Sequence, residues 1–152
     1  MLRWLANLSS RRLLNRIHYI LYDRWQGEAA SGELYQSNSV INVPGSLFKV
    51  SQELDHQLHA WFDLLPPNIK PDLDNDYPSV EDAVLIMRFH AAGDIIYRPF
   101  LHQVCDLGPG MDIDPRVVEN AKKCLGHCRG YLNAVQHTLN TPVASLEIFL
   151  HA

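Results

Sequence analysis

From Val118 to Leu139, apolar residues recur at intervals of three and four without a break: Val118, Ala121, Leu125, Cys128, Leu132, Val135 and Leu139. A helix of 3.6 residues per turn brings such positions onto one face, and a strand of period two does not. Asp114-Pro115 supplies an N-cap and a proline at the first helical position, where a missing N–H costs nothing. Thr141-Pro142 closes the segment. The stripe is long and narrow, and it calls for an apolar partner along its whole length.

Three earlier segments read the same way. Leu13, Leu14, Ile17, Ile20 and Leu21 make one helical face, which Trp4, Leu5 and Leu8 extend backwards. Val50, Leu54, Leu58, Trp61, Phe62 and Leu65 make a second, with Ser51 as a candidate N-cap and Pro66-Pro67 as the stop. The third opens at Ser79, with Asp82 at the capping-box position. It carries two apolar rows: Ala83, Val84, Met87, Ala91 and Ile95, then Leu85, Phe89, Ala92 and Ile96. Two rows mark the central helix, with Met87, Ala91 and Ile95 expected inside. Pro99 removes the bond from its own nitrogen to the Ile95 carbonyl, so a kink is expected there.

The reading is an all-α fold, a multi-helix array of about four principal helices near 2–24, 47–65, 79–105 and 115–140. Glycines, serines and prolines make 26–46 and 66–78 connections, expected to be mobile, and Gly108-Pro109-Gly110 is a further break. Leu146, Ile148, Phe149 and Leu150 are apolar and need something to dock on. The chain is therefore expected to be a single unit of a larger helical domain, prone to dimerise through bare apolar surface.

Apolar residues at 47% and charged residues at 20% suit a packed globular core. A net charge of −4 offers no general excess of cations for gripping phosphates, so direct nucleic-acid contact is not expected. No apolar run reaches the ~20 residues that a membrane span requires. Arg3, Arg11, Arg12 and Arg16, with no acid before Asp23, overlap in composition with a mitochondrial transit peptide. The helical periodicity of the same residues favours an amphipathic helix with a basic solvent face.

Eight histidines and three cysteines raise the question of a metal. His56 and His59 stand at i, i+3, and His127 lies beside Cys124 and Cys128. A closed zinc site needs four ligands in short spacings, and no CxxC or matching second pair is visible. Cys124 and Cys128 fall on or beside the apolar stripe, where cysteine acts as a small hydrophobe, so no metal or cofactor is expected. Asp72, Asp74 and Asp76 alternate as in a calcium loop but lack its glycine and terminal glutamate. Patterns for nucleophilic, zinc-protease, Walker or Rossmann chemistry do not occur, and catalytic residues are not expected. In Tyr97-Arg98-Pro99-Phe100-Leu101, Asp94 stands four residues before Arg98 in the favourable order. Arg98 is read as tying the turn at Pro99 to a neighbour.

Four stretches, LSSRRLLNRIHYILYD (8–23), QELDHQLHAWFDLLPPNIKPDL (52–73), LIMRFHAAGDIIYRPFLHQV (85–104) and CLGHCRGYLNAVQHT (124–138), occur in an order that resembles the regulatory domain, or middle homology region, of fungal zinc-cluster transcription factors. The motif residues are Trp61, Leu65 and Pro66 in one helix end, and Tyr97, Arg98, Pro99 and Phe100 in the next helix. The six clustered cysteines of that family's DNA-binding module are not among Cys105, Cys124 and Cys128. The resemblance implies a nuclear role in regulating transcription, with a small-molecule effector or a co-regulator as partner, homodimerisation, and no DNA contact by these residues. The competing reading is a stand-alone helical small-molecule-binding protein or transferase-like enzyme, in the cytoplasm. The lack of a converging acid, base and metal set weighs against it.

Overall fold

A computed structural model describes residues 1–30, 45–75, 78–107 and 112–139, with side chains described outside 22–30. Among these residues the regular structure is all α-helical: α1 (Leu2–Ala30), α2 (Gly45–Asp63), α3 (Val80–Asp106) and α4 (Pro115–Leu139). The expected breaks at 108–110 and 141–142, most of the first connection and the apolar segment 146–150 lie outside the described residues.

α1 runs past the expected end near 24 and through Gly27. One glycine costs a helix only about 1 kcal/mol relative to alanine, and Glu28, Ala29 and Ala30 favour continuation. Its buried positions are Ala6, Ser10, Ile17 and Leu21. Trp4, Leu5 and Leu8, expected on that face, are exposed. Arg88 explains the change, because its Nη1 reaches the Asn7 carbonyl at 2.5 Å and the Ser10 hydroxyl at 2.9 Å. A cation that must keep those acceptors turns the polar row of α1 inward.

α2 begins at Gly45, so Ser51 is an interior residue and not the N-cap. It is buried, and its hydroxyl donates to the Ile96 carbonyl of α3 at 3.4 Å. Pro66 ends the helix as expected, and the connection beyond it is described at 66–75 and 78. Its Ile69, Pro71 and Pro78 are buried, and Lys70 Nζ reaches Asp63 at 2.8 Å while lying over the Phe62 ring. The Ile69 and Lys70 N–H groups both donate to the Pro66 carbonyl and make a turn at the start of the connection.

α3 opens as its sequence requires. The Asp82 N–H donates to Ser79 Oγ at 3.2 Å, the Ser79 hydroxyl donates to Asp82 Oδ2 at 2.7 Å, and Arg3 binds Asp82 Oδ1 from α1. The helix passes through Pro99 to Asp106. It is the central helix, packed most extensively on α4 and also on α1 and α2. The row Leu85, Phe89, Ala92 and Ile96 lies at its deepest side, whereas Ala91 and Ile95 are only half-buried. The main core joins these residues to Ile17, Leu54, Leu58, Phe100, Val117 and Cys124, and a smaller cluster gathers Val84, Ile86, Met87 and Ala134.

Asp114 caps α4 through its side chain, which accepts the Arg116 N–H at 2.9 Å. The helix then turns an unexpected face inward. Its buried residues are Val117, Ala121, Cys124, Ala134 and Thr138, while Leu125, Leu132 and Leu139 are 54%, 64% and 71% exposed. Small side chains let α4 approach α3 closely, and leucines at the seam would hold it away.

Candidate functional site at the crossing of α3 and α4

Two glycines set the crossing. A Cβ on Gly93 would lie 2.3 Å from the His127 ring, and one on Gly130 would lie 2.3 Å from the His90 ring. Each helix thus offers a gap that a histidine of the other fills. The two imidazoles meet with Nδ1 atoms 3.2 Å apart. Neutral imidazoles satisfy this contact when one Nδ1 carries a proton and the other does not. Phe89 and Tyr97 complete an aromatic wall, with the Tyr97 ring stacked on His127 at 6.0 Å.

Burial holds the imidazoles neutral. It lowers His90 to about 4, with the charge of His127 adding to the effect. It lowers His127 too, against an opposing pull from Asp55. Burial likewise raises the Tyr97 phenol, and Asp55 reinforces this.

One turn further along α3, Asp94 faces two thiols. Its Oδ1 accepts from Cys124 Sγ at 3.2 Å and from Cys128 Sγ at 3.4 Å, while Oδ2 is bound by Arg98. Burial opposes ionisation of Asp94, but the hydrogen bonds from Arg98 and both thiols outweigh it and hold the carboxyl below its ordinary value. Burial, then the adjacent carboxylate, pushes both thiols up. A half-buried carboxylate with three donors is well satisfied.

An open polar cleft of about 630 Å³ runs beside the histidines, lined by His90, Arg129, Asn133, His137 and Asp74 among others. It combines a cation, an acid, an amide and two imidazoles within one concavity, a set suited to a polar small molecule.

The sequence-marked residues divide between places. Trp61, Leu65 and Pro66 line a mainly apolar groove of about 400 Å³ with Leu2, Leu5 and Leu8, and Trp61 Nε1 donates to Ser9 Oγ at 3.0 Å. Tyr97 and Phe100 are core residues of α3, and Phe100 meets Phe48 at 5.1 Å between ring centres. Arg98 is exposed and pairs with Asp94 of its own helix, not with a neighbouring element, while Pro99 is half-buried. His56 and His59 are exposed, and His59 Nδ1 lies 2.9 Å from the Asp55 carbonyl. In the second connection the Asp74 N–H donates to Asp72 Oδ1, a local turn; Asp76 lies outside the described residues. His90 and the thiol contacts of Asp94 had no marker in the sequence. A helical acid four residues before an arginine reads as a surface pair, and only the facing helix gives it thiol partners.

Among the described residues these features define an all-α arrangement of four helices with a histidine and thiol–carboxylate crossing at its centre. Comparison with protein-family models, curated proteins and solved structures finds no match. Within the described residues no helix is long and apolar enough to cross a membrane.

Proposed function

We propose that this chain is the regulatory helical module of a fungal-type transcription factor, acting in the nucleus without a DNA-binding cluster of its own. The motif pair at the end of α2 and within α3 supports the reading, and the regular structure of the described residues is helical, as a helical regulatory module requires. The observation that carries it is the exposed ladder of Leu125, Leu132 and Leu139 on α4. Positions seven apart share one face of a helix, so the three leucines make one exposed apolar stripe, for which we take a second copy of this chain as the occupant. The polar cleft beside His90 is the place for an effector, next to the same helix that carries the ladder.

The test is a reporter assay with the chain fused to a heterologous DNA-binding module and an activation segment. The expected result is a severalfold change in output relative to the fusion without the chain, abolished by Leu125→Glu, Leu132→Glu and Leu139→Glu together. Output that is the same with and without the chain overturns the reading.

A further inference from the structure

We propose that Asp94, Cys124 and Cys128 form a binding site for one soft divalent cation, zinc being the best fit, with solvent in the fourth position. The inference is independent of the transcriptional reading.

The donors come from two helices. Cys124 and Cys128 stand four apart on α4, the spacing that puts side chains on one helical face. Asp94 reaches them from α3. The three donor atoms lie within 4.8 Å of one another. A tetrahedral zinc with sulfur at about 2.3 Å and oxygen at about 2.1 Å requires sulfur–oxygen edges of about 3.6 Å. The observed edges, 3.2 and 3.4 Å, fall a few tenths short. Small rotations of the thiols would admit the ion.

The surroundings suit a metal. Asp94 turns one oxygen to the sulfurs and gives the other to Arg98, so ligation through Oδ1 leaves the carboxylate oriented from behind, as outer-shell partners orient metal ligands. Two thiolates and a carboxylate carry three negative charges, which a divalent cation and the Arg98 guanidinium balance. Binding releases the two thiol protons to solvent, and no redox step is involved. Sulfur donors select zinc over magnesium or calcium. Cys124 is fully buried, while Cys128 is half-buried and marks the side from which an ion enters. His127 lies between the two cysteines in sequence, but its ring is committed to His90 and Tyr97. That leaves three protein ligands and one open position.

Cobalt(II) titration of the reduced full chain tests the site. The expected result is one equivalent of cobalt with thiolate-to-metal charge transfer and the intense visible bands of tetrahedral geometry, displaced by zinc. Cys105→Ser, at an exposed cysteine, should leave the spectrum unchanged, and Asp94→Asn should weaken binding roughly tenfold or more. Cys124→Ser and Cys128→Ser should abolish the charge-transfer band. Because Cys124→Ser alters the core, a second measurement uses the unaltered chain: zinc should slow alkylation of Cys128, mapped by mass spectrometry, and leave that of Cys105 unchanged. The proposal fails if the unaltered chain shows no thiolate charge transfer at one equivalent, if the band depends on Cys105, or if zinc protects neither Cys124 nor Cys128.

Discussion

His90 and His127 face each other across the α3–α4 crossing, their Nδ1 atoms 3.2 Å apart, each ring filling the gap left by a glycine of the opposite helix. Burial, and then the charge of His127, lowers His90 to about 4, and burial lowers His127 as well, which favours the neutral forms.

Acid should therefore destabilise the chain through this pair. The unfolded chain takes up a proton at His90 near the ordinary value of 6.5, whereas the folded chain resists until about 4. Between those values the unfolded state binds more protons, so stability is full above 6.5 and falls as pH drops towards 4. After allowance for solvent screening at this half-exposed ring, the loss is roughly 1–2 kcal/mol. Urea unfolding at pH 7.5 and pH 5, with a chelator present, measures it. His90→Gln should flatten the dependence.

Gly93→Ala should destabilise by about 1–3 kcal/mol, the usual cost of overpacking. The added methyl meets the His127 ring, which Tyr97 and His90 hold in place. His127→Ala should relieve much of that cost in the double variant, and a double-mutant cycle by chemical denaturation reads the coupling. Additive losses would mean that the ring is free to move away.

Ile96→Asp and Ile95→Asp should part company. Ile96 is 0% exposed in the main core, and an unpaired carboxylate there should cost several kcal/mol or prevent folding. Ile95, one position along and half-buried, can turn a carboxylate towards solvent and should lose distinctly less. Comparative thermal melts of the two variants decide the matter. Equal losses would contradict the orientation of α3.

Leu132→Glu, on the 64%-exposed rung of the ladder, should leave stability within about 0.5 kcal/mol, as expected for a surface position. It should also shift a dimer towards monomer in sedimentation equilibrium. A monomeric parent chain would remove the ladder's proposed occupant.

Local chemistry placed most helix ends, though not the start of α2, where Ser51 lies inside the helix, nor the end of α1, which runs past 24. The Ser79–Asp82 cap, Asp114-Pro115 and the stop at Pro66 act within a few residues of themselves, and all three operate in the structure as their sequence requires. Three- and four-residue spacing likewise made the all-α class legible, because that period belongs to helices alone. Which side of a helix faces inward is a different question, and it depends on what the neighbour can accommodate. Periodicity put Leu125, Leu132 and Leu139 on the inner face of α4. Gly93 and Ala92 of α3 instead admit small residues and a histidine, and the leucines turn outward. Arg88 did the same to α1 by claiming Asn7 and Ser10. The Asp94–Cys124–Cys128 cluster belongs wholly to this second level. Its members are 30 and 34 residues apart, and only the close approach of two helices through their glycines brings the carboxylate and the thiols within bonding distance.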